Sequence, residues 1–405
     1  MANHPTHPVP ADPPAGNRSV ALAIGAVFFV NGATLSSWTP RLPTLQAELG
    51  ISDAALGLTL VGMGLGGLAA SGFSGWLVDR RGSRTMTVTT SAAMSLWLPL
   101  LGVAPTAFLV FASLLVLGAL DGLTDVSMNA QAVELQRRIP TSIITRFHAV
   151  WSAGAVTGGI LASRAAAADI SLRTQLLVTG AVLAVITLVA ARWLLPDRHH
   201  ERRAQAIADP SSAPPPASRA VLVRLFLVGM AIALAELPPN DWSALMISDR
   251  FDVTAGQAGL GFVAVAGGMF VGRVVGDLVT DRFGLDQTRR AGAGLAGVGV
   301  LIATTAPHPV LAGVGLFVTG LGLSSLFPLV FRAASDLTHG SHSGMASFSS
   351  GARLGFLIAS PLMGFVAQRT SISTAMLLVA GAAAAVVAAS RLPRAAVREL
   401  EPDPL

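Results

Sequence analysis

Apolar runs of about twenty residues recur along the whole chain, separated by short polar breaks, and this recurrence restricts the fold more than any motif does. A run of that length crosses a bilayer as a helix, because an open strand or coil in hydrocarbon would leave its backbone polar groups without partners. Twelve such runs are read: 19–39, 53–78, 85–105, 107–134, 146–166 and 172–195, then 220–247, 255–280, 287–306, 309–335, 344–367 and 372–391. Composition agrees, with 52% hydrophobic and only 12% charged residues, where about a quarter are charged in an average soluble protein. The expectation is an all-α membrane protein with twelve transmembrane helices.

The polar segments divide the chain. Residues 1–18 are Pro-rich and have no apolar core, so they are expected to be a disordered tail, with the first span serving as the targeting signal. His4 and His7 in that tail are read as bystanders, not as metal ligands. Residues 196–219 are rich in Pro, Ser, Ala and charge and read as a linker, which leaves six-helix bundles at 19–195 and 220–391 and a short tail at 392–405. All 27 basic residues are arginines; seventeen fall in the tails, the linker and the even-numbered loops, and five in the odd-numbered loops. This bias puts both termini and the linker in the cytoplasm of a cell with a bacterial-type inner membrane. The arginines are scattered through short loops, which argues for topology and against a nucleic-acid partner.

Several chemistries are excluded. With no cysteine there is no disulfide, thiolate nucleophile or Cys metal site. No P-loop, HExxH or metal-binding cluster occurs, so neither an enzyme nor a cofactor or metal centre is expected.

The two halves resemble each other at an offset of about 202 residues. Ser52, Gly57, Leu58, Val61, Gly66, Asp79, Arg80 and Gly82 recur as Thr254, Gly259, Leu260, Val263, Gly268, Asp281, Arg282 and Gly284, and Gly118 recurs as Gly320. Phe147 and Gly154 recur as Phe348 and Gly355 with one residue less of offset. Parallel six-helix repeats are typical of transporters that rock one half against the other around a midplane site.

The fourth span holds the densest polar signal. Asp121, Asp125 and Asn129 lie four apart on one helical face, with Gln131 and Glu134 following. A carboxylate in hydrocarbon is costly unless it faces protein or water, so this face reads as a polar pathway; the alternatives are a carboxylate held by an arginine, or a tight contact through Gly118 and Gly122. Asp125 is the leading proton-coupling candidate, assisted by Asp121 and by Glu236 of the seventh span. Glu236 belongs to Glu236-Leu-Pro238-Pro239-Asn240-Asp241-Trp242, where two prolines are expected to break the helix and free carbonyls toward a cavity. A structural pair of Glu236 with Arg353 or Arg332 is the alternative.

Other polar positions complete a candidate substrate site of Asn31, Trp38, Asn129, Gln131, His148, Asn240, Trp242, Ser349 and Arg353. Asn31 and Trp38 share a face of the first span, and an indole beside amide donors suits a sugar or polyol; Trp38 reads equally as an interfacial anchor. His148 offers either a proton relay or a hydrogen-bonded helix contact. Arg273 and Asp277, four apart, are expected to pair with each other.

Between the second and third spans stands Gly75-Trp-Leu-Val-Asp79-Arg80-Arg81-Gly82-Ser-Arg84, and between the eighth and ninth Gly276-Asp277-Leu-Val-Thr-Asp281-Arg282-Phe-Gly284. These loops resemble the GxLaDRxGxR motif of the major facilitator superfamily, and the resemblance extends over all twelve spans. It implies alternating access with Gly75, Asp79, Arg80, Gly82, Arg84, Asp281, Arg282 and Gly284 as a conformational latch on the cytoplasmic side. A narrower likeness, carried by Asp125-Val-Ser-Met-Asn129 and by Phe147-His148-Ala-Val-Trp151-Ser152-Ala-Gly154, is to the sugar permease branch that includes fucose-proton symporters. That branch has an acidic residue late in its first helix, and Ser36-Ser37-Trp38-Thr39-Pro40 has none.

Together these readings point to a secondary active transporter of a small polar solute: a sugar, a polyol or an inosamine-like compound. Protons and membrane lipid are the other expected partners, and the chain is expected to act as a monomer. An exporter of hydrophobic cations of the multidrug type, or a non-transporting membrane sensor on the same fold, are the alternatives.

Overall fold

The computed structural model describes residues 16–139, 143–197, 218–337 and 342–389, so residues 1–15 of the first tail, the tail read at 392–405 and most of the linker lie outside the described residues, while Asn17 and Arg18 belong to the first helix. The described chain is helical: α1 Asn17–Ser36, α2 Leu42–Leu49, α3 Asp53–Ser71, α4 Ser74–Arg81, α5 Ser83–Leu101, α6 Ala107–Gln136, α7 Ile144–Ala167 and α8 Leu172–Ala190 in the first half. The second half supplies α9 Arg219–Arg250, α10 Ala255–Phe283, α11 Leu285–Thr305, α12 Pro309–Leu323, α13 Leu326–Leu337, α14 His342–Arg369 and α15 Ile372–Ala388. Among the described residues, 8 helical segments are long and apolar enough to cross a membrane, and α15 is a shorter apolar helix.

Two spans read as continuous are interrupted. The segment 53–78 breaks at Gly72-Phe73, where the Ser71 hydroxyl donates to Leu68 O and the Ser74 hydroxyl to Ser71 O. The segment 309–335 breaks at Ser324-Ser325, where Ser324 Oγ donates to Leu321 O at 2.8 Å. In both, short polar side chains compete for the carbonyls that would continue the helix. The seventh span errs the other way. α9 runs unbroken through Pro238 and Pro239. The lost donors affect only the carbonyls of Leu234 and Ala235, and Asn240 Nδ2 donates to Glu236 O at 2.7 Å in the next turn.

Helix starts repeat between the halves. Ser52 Oγ accepts from Ala55 N, and Thr254, 202 residues later, caps α10 with a full capping box through Gln257. Thr106 caps α6 and His308 Nδ1 caps α12, while Ser171 and Ser371 cap α8 and α15. Gly82 and Gly284 precede α5 and α11 with φ of 89° and 81°, where a side chain would be strained. At Gly82 a Cβ would also strike Asp197, whose carboxylate accepts from Arg84 N at 2.7 Å and from the Thr85 hydroxyl at 2.7 Å.

Packing repeats as well. α1 packs on α7, α3 on α6, α5 on α6 and α8; in the second half α9 packs on α14, α10 on α12, and α11 on α12 and α15. Gly118 lets α6 approach the carbonyl of Met63 on α3, and Gly320 lets α12 approach that of Val265 on α10. Contacts between the halves run through α7 with α10 and α3 with α14. They cluster away from the linker: Gly57 lies against Ser360, Gly364 against Asp53, Gly259 against Ser163, and Ala54 N donates to Gln368 Oε1 at 3.5 Å. Toward the linker side Asp125, His148 and Arg353 are exposed. The halves therefore meet at one end and part at the other. On the outside, Phe108, Leu278 and Val310 are more than 70% exposed (73%, 74% and 74%), a surface that water disfavours and hydrocarbon accepts.

Candidate functional site

Where the halves meet lies a cavity of about 210 Å³. Its walls come from the end of α1 and the turn after it (Leu35, Ser36, Trp38, Thr39), from α7 (Trp151, Ser152, Ala155), α9 (Glu236, Leu237, Asn240, Asp241) and α10 (Phe262, Ala266, Met269, Arg273), closed by Met63 and Phe356. The first and seventh spans supply wall residues, and the fourth and tenth contribute none to this cavity. Its polar groups are few and convergent, within a mainly apolar lining, which is the usual make-up of a small-molecule site.

A polar chain connects the cavity to the fourth span. Asn31, 2% exposed, donates from Nδ2 to Asp121 Oδ1 at 2.9 Å and accepts at Oδ1 from Trp151 Nε1 at 2.6 Å. The Arg273 guanidinium sits 5.3 Å from the centre of the Trp151 ring and donates to Ser152 Oγ at 2.7 Å. Arg273 belongs to the second half and Ser152 and Trp151 to the first, so this is a polar contact between the halves. Glu236 and His148 both interact electrostatically with Arg273. The expected pair of Arg273 with Asp277 does not form: at a site between halves, the guanidinium finds an indole face, a hydroxyl and a carboxylate that an exposed neighbour on its own helix cannot match. Arg273 is also the cation that faces Glu236, in place of Arg353; the Arg332 side chain lies outside the described residues.

The other sequence-derived candidates divide into three groups. Trp38, Glu236 and Asn240 line the cavity, and Asn31 and Asp121 stand behind Trp151. Trp38 is 6% exposed, which removes the interfacial-anchor alternative. Asp125 and Asn129 form a local pair, with Asn129 Nδ2 donating to Asp125 O and Oδ1, each at 2.9 Å, on a face open to the linker side. His148 sits edge-on to Phe28, with ring centroids 5.4 Å apart. Gln131 is engaged elsewhere: it donates to Ser83 Oγ and Leu195 O and accepts from Leu195 N, tying α6 to the start of α5 and to the chain that follows α8. Trp242 is fully buried in apolar core, and Ser349 and Arg353 lie on α14, with Arg353 exposed.

The latch residues sit on the linker side. Arg80 stacks over Trp76, one turn back on its own helix, at 5.4 Å, and Arg282 over the next residue, Phe283, at 5.8 Å. Arg84 turns inward and donates from Nη2 to Ala191 O at 2.9 Å. Gly75, Asp79, Asp281 and Gly284 are exposed.

Asp241, Trp151 and Ser152 were not selected as site residues from the sequence, and Arg273 was read only as a partner of Asp277. Trp151 and Ser152 were present in the quoted fifth-span motif, and Asp241 in the seventh-span stretch, but spacing alone gives no reason to select them.

A family model described as Major Facilitator Superfamily matches residues 24–244 and 242–404. The chain belongs to the Major Facilitator Superfamily. This places it among integral membrane transporters of that superfamily, with an all-helical fold. A similar superfamily protein of Yersinia pestis, described as an uncharacterised MFS-type transporter, is 28% identical over 365 residues, 90% of this chain and 93% of its own. Among solved structures, a mutant of the nucleoside transporter NupG superposes with a TM-score of 0.74 at 14% identity, covering 92% of this chain and 99% of its own. A mutant of the Escherichia coli fucose:proton symporter FucP gives a TM-score of 0.60 at 18% identity, covering 92% and 97%. At such identities these two likenesses of the MFS chain are likenesses of fold.

Proposed function

We propose that this superfamily member is a secondary active transporter that moves a small polar solute of the sugar or polyol class by alternating access, coupled to protons. The observation that carries the reading is the cavity between the halves, in which Trp38, Glu236, Asn240, Asp241 and Arg273 converge while the halves touch at one end only. A site walled by both halves changes its access when they rock, and its few polar groups can hydrogen-bond hydroxyls. The repeated helix pairings and caps support twelve spans in two pseudo-symmetric six-helix bundles at 19–195 and 220–391. The arginine bias supports cytoplasmic termini in a bacterial-type inner membrane, and no other subunit is needed to complete the cavity.

Coupling is assigned to Asp121, Asp125 and Glu236. Asp121 is joined to the cavity wall through Asn31 and Trp151, and Glu236 lies in that wall. The latch loops would close the linker side in the opposite state. The solved neighbours described as nucleoside and fucose:proton transporters favour a polar solute over a hydrophobic one. Reconstitution into sealed proteoliposomes tests the reading: an imposed proton gradient should drive accumulation of a sugar or polyol. Flux of hydrophobic cations alone would favour an exporter, and absence of any flux would favour a sensor.

A further inference from the structure

We propose that the transported solute carries a carboxylate beside its hydroxyls, as a sugar acid does, and that Arg273 grips this carboxylate side-on. This rests on reading the cavity as the transport site and names the kind of sugar or polyol it takes. Arg273 lines the cavity and spends one nitrogen on protein: Nη1 donates to Ser152 Oγ at 2.7 Å. Nε and Nη2, whose N–H groups run parallel along one edge of the guanidinium, have no hydrogen-bond acceptor among the described residues. Neither nitrogen is closed off by protein, unlike Nε of Arg41, which is buried without a partner. That edge is the fork that holds a carboxylate through two parallel hydrogen bonds. Ser152 holds Nη1 and the Trp151 ring lies 5.3 Å from the guanidinium, so the fork is oriented before any ligand arrives.

Among the described residues Arg273 is in ion-pair contact with no carboxylate, those of Glu236 and Asp241 in the same wall included. A guanidinium stays charged at any working pH, and leaving it without an anion in a mainly apolar cavity is costly. The rest of the wall offers acceptors. Asn240 spends its amide on Glu236 O, and Ser360 gives its hydroxyl to Asp241 Oδ2. The oxygens Asn240 Oδ1 and Asp241 Oδ1 and both carboxylate oxygens of Glu236 have no donor among the described residues, and none of them is closed off. Solute hydroxyls donate to these oxygens, and a carboxylate fills the fork. A neutral sugar satisfies the acceptors but leaves the guanidinium without an anion. Glu236 acts on Arg273 from beyond contact and so competes with the solute for it.

The test uses the full chain, purified in detergent, with matched probes at equal ionic strength: glucuronate against glucose and glucuronamide, gluconate against sorbitol, and propionate as a carboxylate without hydroxyls. Melting temperature is followed as each is titrated near neutral pH, since a ligand of the folded state stabilises by mass action. Glucuronate should bind about tenfold or more tightly than glucose, glucuronamide or propionate, the first two lacking the charge-assisted bidentate contact and the third the hydroxyls. Arg273→Gln should erase the preference over the neutral partners, and Arg273→Lys, which keeps the charge without the fork, should retain only part of it. Glu236→Gln, which removes the competing charge, should tighten glucuronate, and with Arg273→Lys it decides the matter where Arg273→Gln does not fold. Sugar acids that bind no better than their neutral partners, propionate that binds as tightly as glucuronate, or a preference unmoved by these variants overturn the subsite and leave Arg273 as a bridge between the halves. In that case neutral sugars that accumulate in proteoliposomes leave the transporter reading standing. Preferential binding of glucuronate through Arg273 without flux of any solute supports the subsite and removes that reading instead.

Discussion

Trp151 gives its indole N–H to the side-chain carbonyl of Asn31 at 2.6 Å, and the Asn31 amide gives its own hydrogen to Asp121 at 2.9 Å. One amide thus joins a carboxylate on the fourth span to a ring that carries, on its face, an arginine of the opposite half. The orientation of Asn31 is determined by both partners, because a flipped amide would place its N–H₂ against the indole donor. Replacing Trp151 by Phe keeps a ring under Arg273 and strands the Asn31 oxygen. The expected loss is about 1–3 kcal/mol, the cost of an unpaired buried acceptor, read as a lowered melting temperature in detergent.

Arg273 holds the halves together through Ser152 and faces Glu236. Arg273→Gln should remove the positive charge that acts on Glu236 and sits over Trp151, and reduce solute exchange by at least about tenfold. Arg273→Lys restores charge but not the planar stack on Trp151, and is expected to recover exchange only in part. Counterflow in proteoliposomes measures both; full activity of the Gln variant would show that the contact is incidental.

Gly118 and Gly320 occupy equivalent places in the two helix crossings, each against a backbone carbonyl. Valine at either position must push the helices apart, so Gly118→Val and Gly320→Val should each cost about 1–3 kcal/mol or more and lower the yield of folded protein. Gly381, with open space around its Cα, is the control. Gly381→Ala should be neutral or stabilising by up to about 1 kcal/mol, from helix propensity alone.

Asp197 caps α5 by accepting from Arg84 N, Thr85 N and Thr85 Oγ. Asp197→Ala is expected to cost about 0.5–2 kcal/mol, the usual range for a lost N-cap. Faster hydrogen exchange at Arg84 and Thr85, with little change in the core helices, would locate the effect.

Asp125 and Asp121 should behave differently. Asp125→Asn, nearly isosteric and permanently neutral, is expected to abolish pH-driven accumulation yet retain binding and exchange. Asp121→Asn should also disturb Asn31 and Trp151, and so weaken binding itself. Accumulation against a gradient by the Asp125 variant would move coupling to Asp121 or Glu236. The chain has no cysteine, so single cysteines placed near Asp79 report linker-side opening without background. If Asp79 is part of the latch, Asp79→Asn should raise their labelling.

What the sequence by itself determined is whatever depends on local length, period and backbone geometry. Apolar runs of spanning length call for helices, Gly82 and Gly284 take the positive φ that few other residues tolerate, and Ser52 and Thr254 start helices at the same offset. The carboxylates of the fourth span and Glu236 were legible because a charge in an apolar run is conspicuous wherever the run packs. The partners of those charges were not. Spacing on one helix offered Asp277 to Arg273, and only the meeting of α10 with α7 and α9 supplied Trp151, Ser152 and Glu236 instead. Two prolines predicted a break in α9 because local propensity counts the lost donors, whereas packing along the whole helix keeps it continuous through them. Gln131 and Asn31 look alike in sequence, as lone amides in apolar spans. Tertiary packing gave one to the backbone of Leu195, beyond the end of α8, and the other to a carboxylate beside the cavity, because the available partners come from distant parts of the chain.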